Sequence, residues 1–290
     1  MRLITPLLLI AALLSVATHA DAEVQPPLTY RAKTATIQGE SSGKAVTVKC
    51  PKGTKVAGGG SQIEDRSLAV KILGSHPIDG RDRDRKPDDG WRTVGANEYQ
   101  EPKELSVWVV CAESGRYRYV RSTAEVPVNG RASATVSCRR DEQVSGGGGL
   151  MLSNHRFVHL TASHPGDDTS DIDPDVDNLW SVRGQNSTTK VQKLRAWVIC
   201  ASQGTFSYPS TQASVGSGAT SIQSVDCAGL SQVTGGGITA FDDAALFLNA
   251  TRPHTVDADG IVDDGWTAAA SNAGPPETVF VAAICLEPPA

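Results

Sequence analysis

Aspartates crowd three short segments of this chain, at a density that suits a hard cation. Calcium takes roughly six to eight oxygen ligands, and alternating carboxylates can supply several of them from one loop. The helix–loop–helix calcium signature is absent, because Asn178 stands where its glycine would be and its closing glutamate is missing. Calcium binding and a solvated surface loop therefore both remain open. The candidate metal ligands are Asp171, Asp173, Asp175, Asp177, Asp257, Asp259 and Asp263.

One tryptophan follows each acidic segment, and an asparagine lies six residues after it. Such a tryptophan can stack on a pyranose ring while amide and carboxylate groups bind the sugar hydroxyls. The same side chain is also a common filler of a small β-sandwich core, so both interpretations stay open. The candidate ligand-binding residues are Trp91, Asn97, Trp180, Asn186, Trp266 and Asn272.

Histidine follows serine in Ser75-His76 and Ser163-His164, an arrangement that invites comparison with a hydrolase. Adjacent residues on a strand diverge, however, and a catalytic triad requires convergent geometry. His155 and His159 are too far apart along a strand to share one metal, so a surface role is expected for them. Because no set of acid, base and nucleophile recurs, we expect no catalytic residues and no enzyme activity.

These candidates belong to a pattern that occurs three times. Each copy runs from a cysteine to a valine, a glycine run, an S/T-x-P tripeptide, a tryptophan, an asparagine and a closing cysteine. The opening cysteines lie 88 and 89 residues apart, and Tyr30, Tyr119 and Tyr208 are spaced by 89 each time. Such regularity predicts repeated structural units. We place them at residues 23–113, 114–202 and 203–290.

The six cysteines have matching places in the three copies. Six cysteines allow 15 pairings, and the repeat favours closure within each copy, with loops of similar length. A loop of about 60 residues would add roughly 4 kcal/mol to stability. Zinc is disfavoured, because the chain contains no C-x-x-C pair. The expected bridges are Cys50 to Cys111, Cys138 to Cys200 and Cys227 to Cys285.

Alternating apolar residues predict strands throughout the repeats. In the segment 105–111, one face carries valines and the closing cysteine, and the other carries Trp108 and Val110. The second copy presents Trp197 there and the third Phe280. This second face either packs on another layer or forms an aromatic platform for a ligand. The predicted fold is all-β, with three tandem sandwich-like repeats of about 89 residues and one disulfide each.

The N-terminus has the composition of a secretory signal peptide, expected over residues 1–22. Arg2 precedes an apolar run from Leu3 to Val16, and small residues follow at 20–22. No later stretch approaches the roughly 20 apolar residues of a membrane span. The formal net charge of -5 gives no reason to expect nucleic acid. We therefore expect a secreted, extracellular protein without membrane insertion.

The first copy also carries a family resemblance. Its order C-x-x-G-x-x-V-x-G-G-G, S-x-P, G-W, A-N and V-x-C, between Cys50 and Cys111, resembles a repeat of secreted bacterial proteins, notably of actinobacteria. That resemblance covers nearly all of the mature chain, and it implies export, a β domain and one disulfide per repeat. The three glycine-rich repeats are more distantly similar to the threefold β-prism of the vitelline membrane outer layer protein and some lectins.

Taken together, these features predict a non-enzymatic binding protein of the cell surface or extracellular matrix. Its expected partner is an extracellular glycan or a surface protein, bound in a lectin-like and multivalent way through three related loops. One alternative is an assembly protein whose repeats pack on a partner chain, and a secreted hydrolase is less favoured. No cofactor is expected other than calcium.

Overall fold

The computed structural model describes residues 28–65, 67–80, 84–113, 115–167, 178–240, 245–256 and 263–289. Throughout these ranges the chain forms strands joined by turns, without helix. No helix that could cross a membrane occurs in the described part. The all-β class and the disulfide-bonded repeats are confirmed.

Each repeat forms the same succession of strands. Pro209 interrupts the first strand of the third repeat, because proline has no N–H to donate to a ladder. The first repeat comprises β1 (Leu28–Ile37), β2 (Ser41–Lys49), β3 (Lys55–Ile63), β4 (Val70–Ile78), β5 (Gly90–Asn97) and β6 (Lys103–Ala112). The second comprises β7 (Tyr117–Val126), β8 (Gly130–Ser137), β9 (Gln143–Met151), β10 (Val158–Gly166), β11 (Leu179–Asn186) and β12 (Gln192–Ala201). The third comprises β13 (Phe206–Ser207), β14 (Ser210–Val215), β15 (Thr220–Asp226), β16 (Gln232–Ala240), β17 (Leu246–His254), β18 (Gly265–Asn272) and β19 (Glu277–Leu286).

The strands form three antiparallel sheets, and every sheet combines strands of two repeats. Sheet A has the order β1-β6-β3-β17-β18-β15, and sheet B has the order β2-β5-β4-β9-β12-β7. Sheet C runs from β13 and β14 through β19, β16, β10 and β11 to β8. The third and fourth strands of each repeat therefore pair with the two other repeats. The three repeats close into one pseudo-threefold body and are not separate modules.

Within one repeat, the two half-sheets face each other as a wedge-shaped sandwich. In the first repeat, Trp91 of sheet B lies over Gly59 of sheet A, and Trp91 belongs to a continuous apolar core. The cysteines tie the two half-sheets together at one end, with Cα–Cα distances of 5.5 to 5.7 Å. The bridges are Cys50–Cys111, Cys138–Cys200 and Cys227–Cys285, as the repeat predicts.

The glycine runs lie where the repeats meet. A Cβ on the middle glycine of a run, such as Gly147, would overlap the indole of Trp180. A Cβ on the third glycine, Gly148, would overlap the carbonyl oxygen of Ser75 in the preceding repeat. Only glycine permits both approaches. The glycines thus permit a close approach of two backbones that joins neighbouring repeats.

The tyrosines spaced by 89 residues also join neighbouring repeats. The hydroxyl of Tyr30 donates to the Val233 carbonyl oxygen at 2.8 Å, and that of Tyr119 donates to Val56 at 2.7 Å. Tyr208 donates to the Val144 carbonyl oxygen at 2.9 Å. Every repeat thus bonds to the one before it, and the first bonds to the third.

Candidate functional site

The three repeat tryptophans are core residues. Trp91, Trp180 and Trp266 are at most 1% exposed. Their indole N–H groups donate to the S/T-x-P hydroxyls of Ser75, Ser163 and Thr251, at 2.8, 3.1 and 3.2 Å. A ring that is covered and satisfied in this way cannot stack on a sugar. The ligand-binding interpretation of these tryptophans is therefore wrong, and their core interpretation is correct.

The three repeat asparagines hold turns in place. The Asn97 amide donates to the Glu101 carbonyl at 2.8 Å, and its oxygen accepts from the Tyr99 N–H at 3.0 Å. Asn186 and Asn272 repeat this arrangement, and all three are at most 1% exposed. Their polar groups are used within the protein. The ligand-binding interpretation of these asparagines is wrong for the same reason.

Most of the proposed calcium ligands lie outside the described residues. These are Asp171, Asp173, Asp175, Asp177, Asp257 and Asp259. Asp263 is described, and it accepts a hydrogen bond from the Gln232 amide at 3.0 Å. In the described ranges, one group of potential ligands converges, namely Cys138, Cys200 and Glu142. Its cysteines form a disulfide and Glu142 pairs with Arg118, so it cannot act as a metal site.

The surface role expected for His155 and His159 holds for only one of them. His155 is exposed, whereas His159 and His76 are only 5% and 6% exposed. Burial lowers the pKa of His159 to about 3 and that of His76 to about 4. The Nδ1–H of His76 donates to the Pro77 carbonyl at 2.9 Å, which leaves Nε2 buried without a partner among the described residues. Both rings are therefore neutral parts of the interior.

The outer face of each sheet carries one row of side chains that crosses all its strands. The row passes from one repeat to the next at the third glycine of the run, so the middle residue of S/T-x-P meets the aromatic position of the following repeat. In sheet A the row is Ser224, Thr267, Arg252, Gly60, Trp108 and Ala32. In sheet B it is Thr47, Arg92, His76, Gly148, Trp197 and Arg121. In sheet C it is Thr135, Ser181, His164, Gly237, Ala282 and Ser210.

A cleft of about 340 Å³ lies on the row of sheet A. The guanidinium of Arg252, from the third repeat, lies 5.4 Å from the centroid of the Trp108 ring, from the first repeat. Arg252 also donates to the Gln62 amide oxygen at 2.5 Å, which fixes its orientation. Trp108 remains partly exposed, because its neighbour on the other side is the small Ala32. The walls of this cleft, which we call cleft A, are Gln62, Glu64, Glu104, Ser106, Trp108 and Arg252.

Cleft A offers unused polar groups beside an apolar ring. Glu104 is exposed on β6 and Glu64 is exposed directly after the neighbouring β3, and in the described ranges neither carboxylate makes an ion pair or side-chain hydrogen bond. The Trp108 indole N–H likewise has no partner among those residues. Such a site can stack a flat apolar surface on the ring and accept hydrogen bonds from hydroxyl groups at its rim.

The other two rows do not repeat this arrangement. Trp197 is only 6% exposed, since His76 stacks on it at 4.5 Å between ring centroids and the Arg195 guanidinium lies 5.6 Å from its centroid. In sheet C the aromatic position is Ala282, and Phe280 lies two residues away. The sequence predicted an aromatic residue on the second face of each closing strand, which either packs on another layer or forms a platform for a ligand. The structure gives a covered ring in sheet B and a partly open one in sheet A.

The remaining walls of cleft A could not be identified from the repeated pattern. Glu64 and Glu104 lie outside the repeated pattern, and Arg252 comes from the far end of the chain. Comparison with known proteins adds no assignment. No family model matches this chain, and no curated protein matches it.

Proposed function

We propose that this chain is an exported carbohydrate-binding protein whose glycan site is cleft A. The observation that carries the proposal is the half-open Trp108 ring in a cleft that also holds two carboxylates, neither of which has a side-chain partner among the described residues. Pyranose rings present apolar C–H faces that stack on indole, and their hydroxyls donate to carboxylates. An exported protein with three disulfides and a glycan as ligand fits an oxidising, extracellular setting.

The ligand favoured by cleft A is a neutral glycan. Glu64 and Glu104 would repel a uronate or a sulfated sugar, whereas they accept hydrogen bonds from neutral hydroxyls. Because the rows of sheets B and C lack an open aromatic ring, we propose one principal site instead of three equal ones. The repeat predicts multivalent binding through three related loops, whereas this proposal has one glycan site.

A glycan array tests the proposal directly. The whole chain and Trp108→Ala would be compared, with Phe280→Ala as the matched removal of a partly exposed aromatic from sheet C. We expect Trp108→Ala to weaken binding to the selected neutral glycans by roughly tenfold or more, and Phe280→Ala to leave it unchanged. Glu104→Gln should weaken binding while the melting temperature stays the same.

Three outcomes would reject the proposal. Equal loss in Trp108→Ala and Phe280→Ala would mean that cleft A is not the site. Release of shortened sugars would indicate hydrolysis, with Glu64 and Glu104 as a carboxylate pair. Failure on all glycans, together with retained binding to a protein of the cell surface, would favour the assembly alternative.

A further inference from the structure

The outer face of sheet B is cationic, although the protein as a whole carries a formal net charge of -5. Arg92 lies beside His76 in the row and donates to the Thr47 hydroxyl at 3.2 Å. On the strands of the second repeat, Arg121 lies opposite Trp197, and Arg195 lies two residues before Trp197 in the sequence. The guanidinium groups of both Arg92 and Arg195 act on His76 electrostatically. Cations from two repeats thus face one surface.

This cationic surface continues over the edge of the sheet. Thr47, which accepts from Arg92, also lines a groove of about 510 Å³ between the edge strands β1 and β2. Arg31, Lys33 and Lys49 line the same groove. We call the combined surface the basic band, and its cations are Arg31, Lys33, Lys49, Arg92, Arg121 and Arg195.

The band is not neutralised within the protein. In the described part of the chain, none of its cations forms an ion pair. One carboxylate on the same face, Glu125, stands opposite Lys193 instead. The proximity of Arg121 contributes to a lowered pKa of Arg195, after the larger effect of burial. Cations held this close without a counter-charge favour an external anion.

The extent of the band points to a polymer. Neighbouring strands lie about 4.8 Å apart, so the row from β2 to β7 extends on the order of 25 Å along the sheet. A single phosphate or sulfate would reach only part of it. Single-stranded nucleic acid would need an open aromatic ring for its bases, and Trp197 is covered by His76.

We propose that the basic band binds a linear anionic polysaccharide, at a site separate from cleft A. Its sulfate, phosphate or carboxylate groups would contact guanidinium and ammonium groups successively from Lys33 to Arg121. The counterparts of Arg92 and Arg121 in sheet A are Thr267 and Ala32. The row on the outer face of sheet A therefore lacks these two arginines, and the two sites differ in the charge of their ligand.

Dextran sulfate and neutral dextran form the decisive pair of probes, since they share a backbone and differ in charge. In the Trp108→Ala background, which removes the ring of cleft A, we expect binding to dextran sulfate, no binding to dextran, and a steep loss of affinity with added salt. Polygalacturonate and polyphosphate distinguish carboxylate from phosphate as the source of the anion. The double variant Arg92→Gln/Arg195→Gln should bind at least about tenfold more weakly. Arg116→Gln/Arg140→Gln removes the same charge from exposed turns and should change affinity less than about twofold.

Several results would overturn this proposal. Equal weakening by both double variants would show a general charge effect, and absence of binding to all three anionic polymers would leave the arginines as protection of sheet edges. Tighter binding of an oligothymidylate than of dextran sulfate would point to nucleic acid. Thermal melts of each variant establish folding. Because Trp108→Ala should leave dextran sulfate binding intact, failure of cleft A and failure of the band are distinguishable.

Discussion

The hydroxyl of Tyr119 donates to the Val56 carbonyl oxygen across the boundary between the first and second repeats. Burial raises the pKa of Tyr119 far above its ordinary value, so the hydroxyl remains a donor at every physiological pH. Together with Tyr30 and Tyr208, this bond forms a ring of three contacts between repeats.

Tyr119→Phe should lower the free energy of unfolding by about 1–2 kcal/mol, because it leaves the partly buried Val56 carbonyl without this donor. Tyr117→Phe is the control on the same strand, since the Tyr117 hydroxyl has no described hydrogen bond. Urea unfolding of both variants measures the difference. Equal costs would show that the inter-repeat bond contributes nothing of its own.

The two kinds of tryptophan should respond differently to truncation. Trp180→Ala removes a buried ring and should cost about 3–5 kcal/mol. Trp108→Ala removes a partly exposed ring and should cost about 1 kcal/mol. Denaturant melts of the two variants make the comparison. A larger cost for Trp108→Ala would place that ring in the structural core.

The third glycine of each run should tolerate no side chain. Gly148→Ala brings a Cβ onto the Ser75 carbonyl oxygen, so the joint between the repeats must open. We expect loss of cooperative unfolding or a destabilisation of about 3 kcal/mol or more. Gly216→Ala is the control, because its nearest neighbour would be the Ala219 Cβ at 3.8 Å. Calorimetry of both variants tests this, and a stable Gly148→Ala would contradict the proposed close approach.

Acid should destabilise the fold through its buried histidines. Burial lowers the folded-state pKa of His76 to about 4, and the unfolded chain binds that proton near pH 6.5. The contribution is therefore fully present above pH 6.5 and lost as the pH falls toward 4. His76→Phe should reduce the loss of stability between pH 7 and pH 5 by about 2 kcal/mol. Unfolding at both pH values checks this, with His155→Gln as the exposed control that should behave as the parent does.

Local features of the sequence predicted the strands and the disulfides, because both depend on residues within one repeat. The sharing of sheets could not be predicted in this way. The pairing of Ser61 with Thr251 joins residues at opposite ends of the chain, and no repeat pattern specifies which neighbour a strand chooses. The aromatic face of β6 was visible, yet its accessibility depends on Arg252 from another repeat.

Because each sheet combines strands of two repeats, the fold can be completed only late in synthesis. β3 can pair with β17 only after nearly the whole chain has been synthesised. Until then, an unpaired strand edge of the first repeat is open to association with other chains. Arg252 lies on β17 as well, so cleft A is completed when β17 pairs with β3 and joins the third repeat to the first. Ligand recognition in cleft A would then be a property of finished molecules alone, and a chain cut short before β17 would neither close nor bind there.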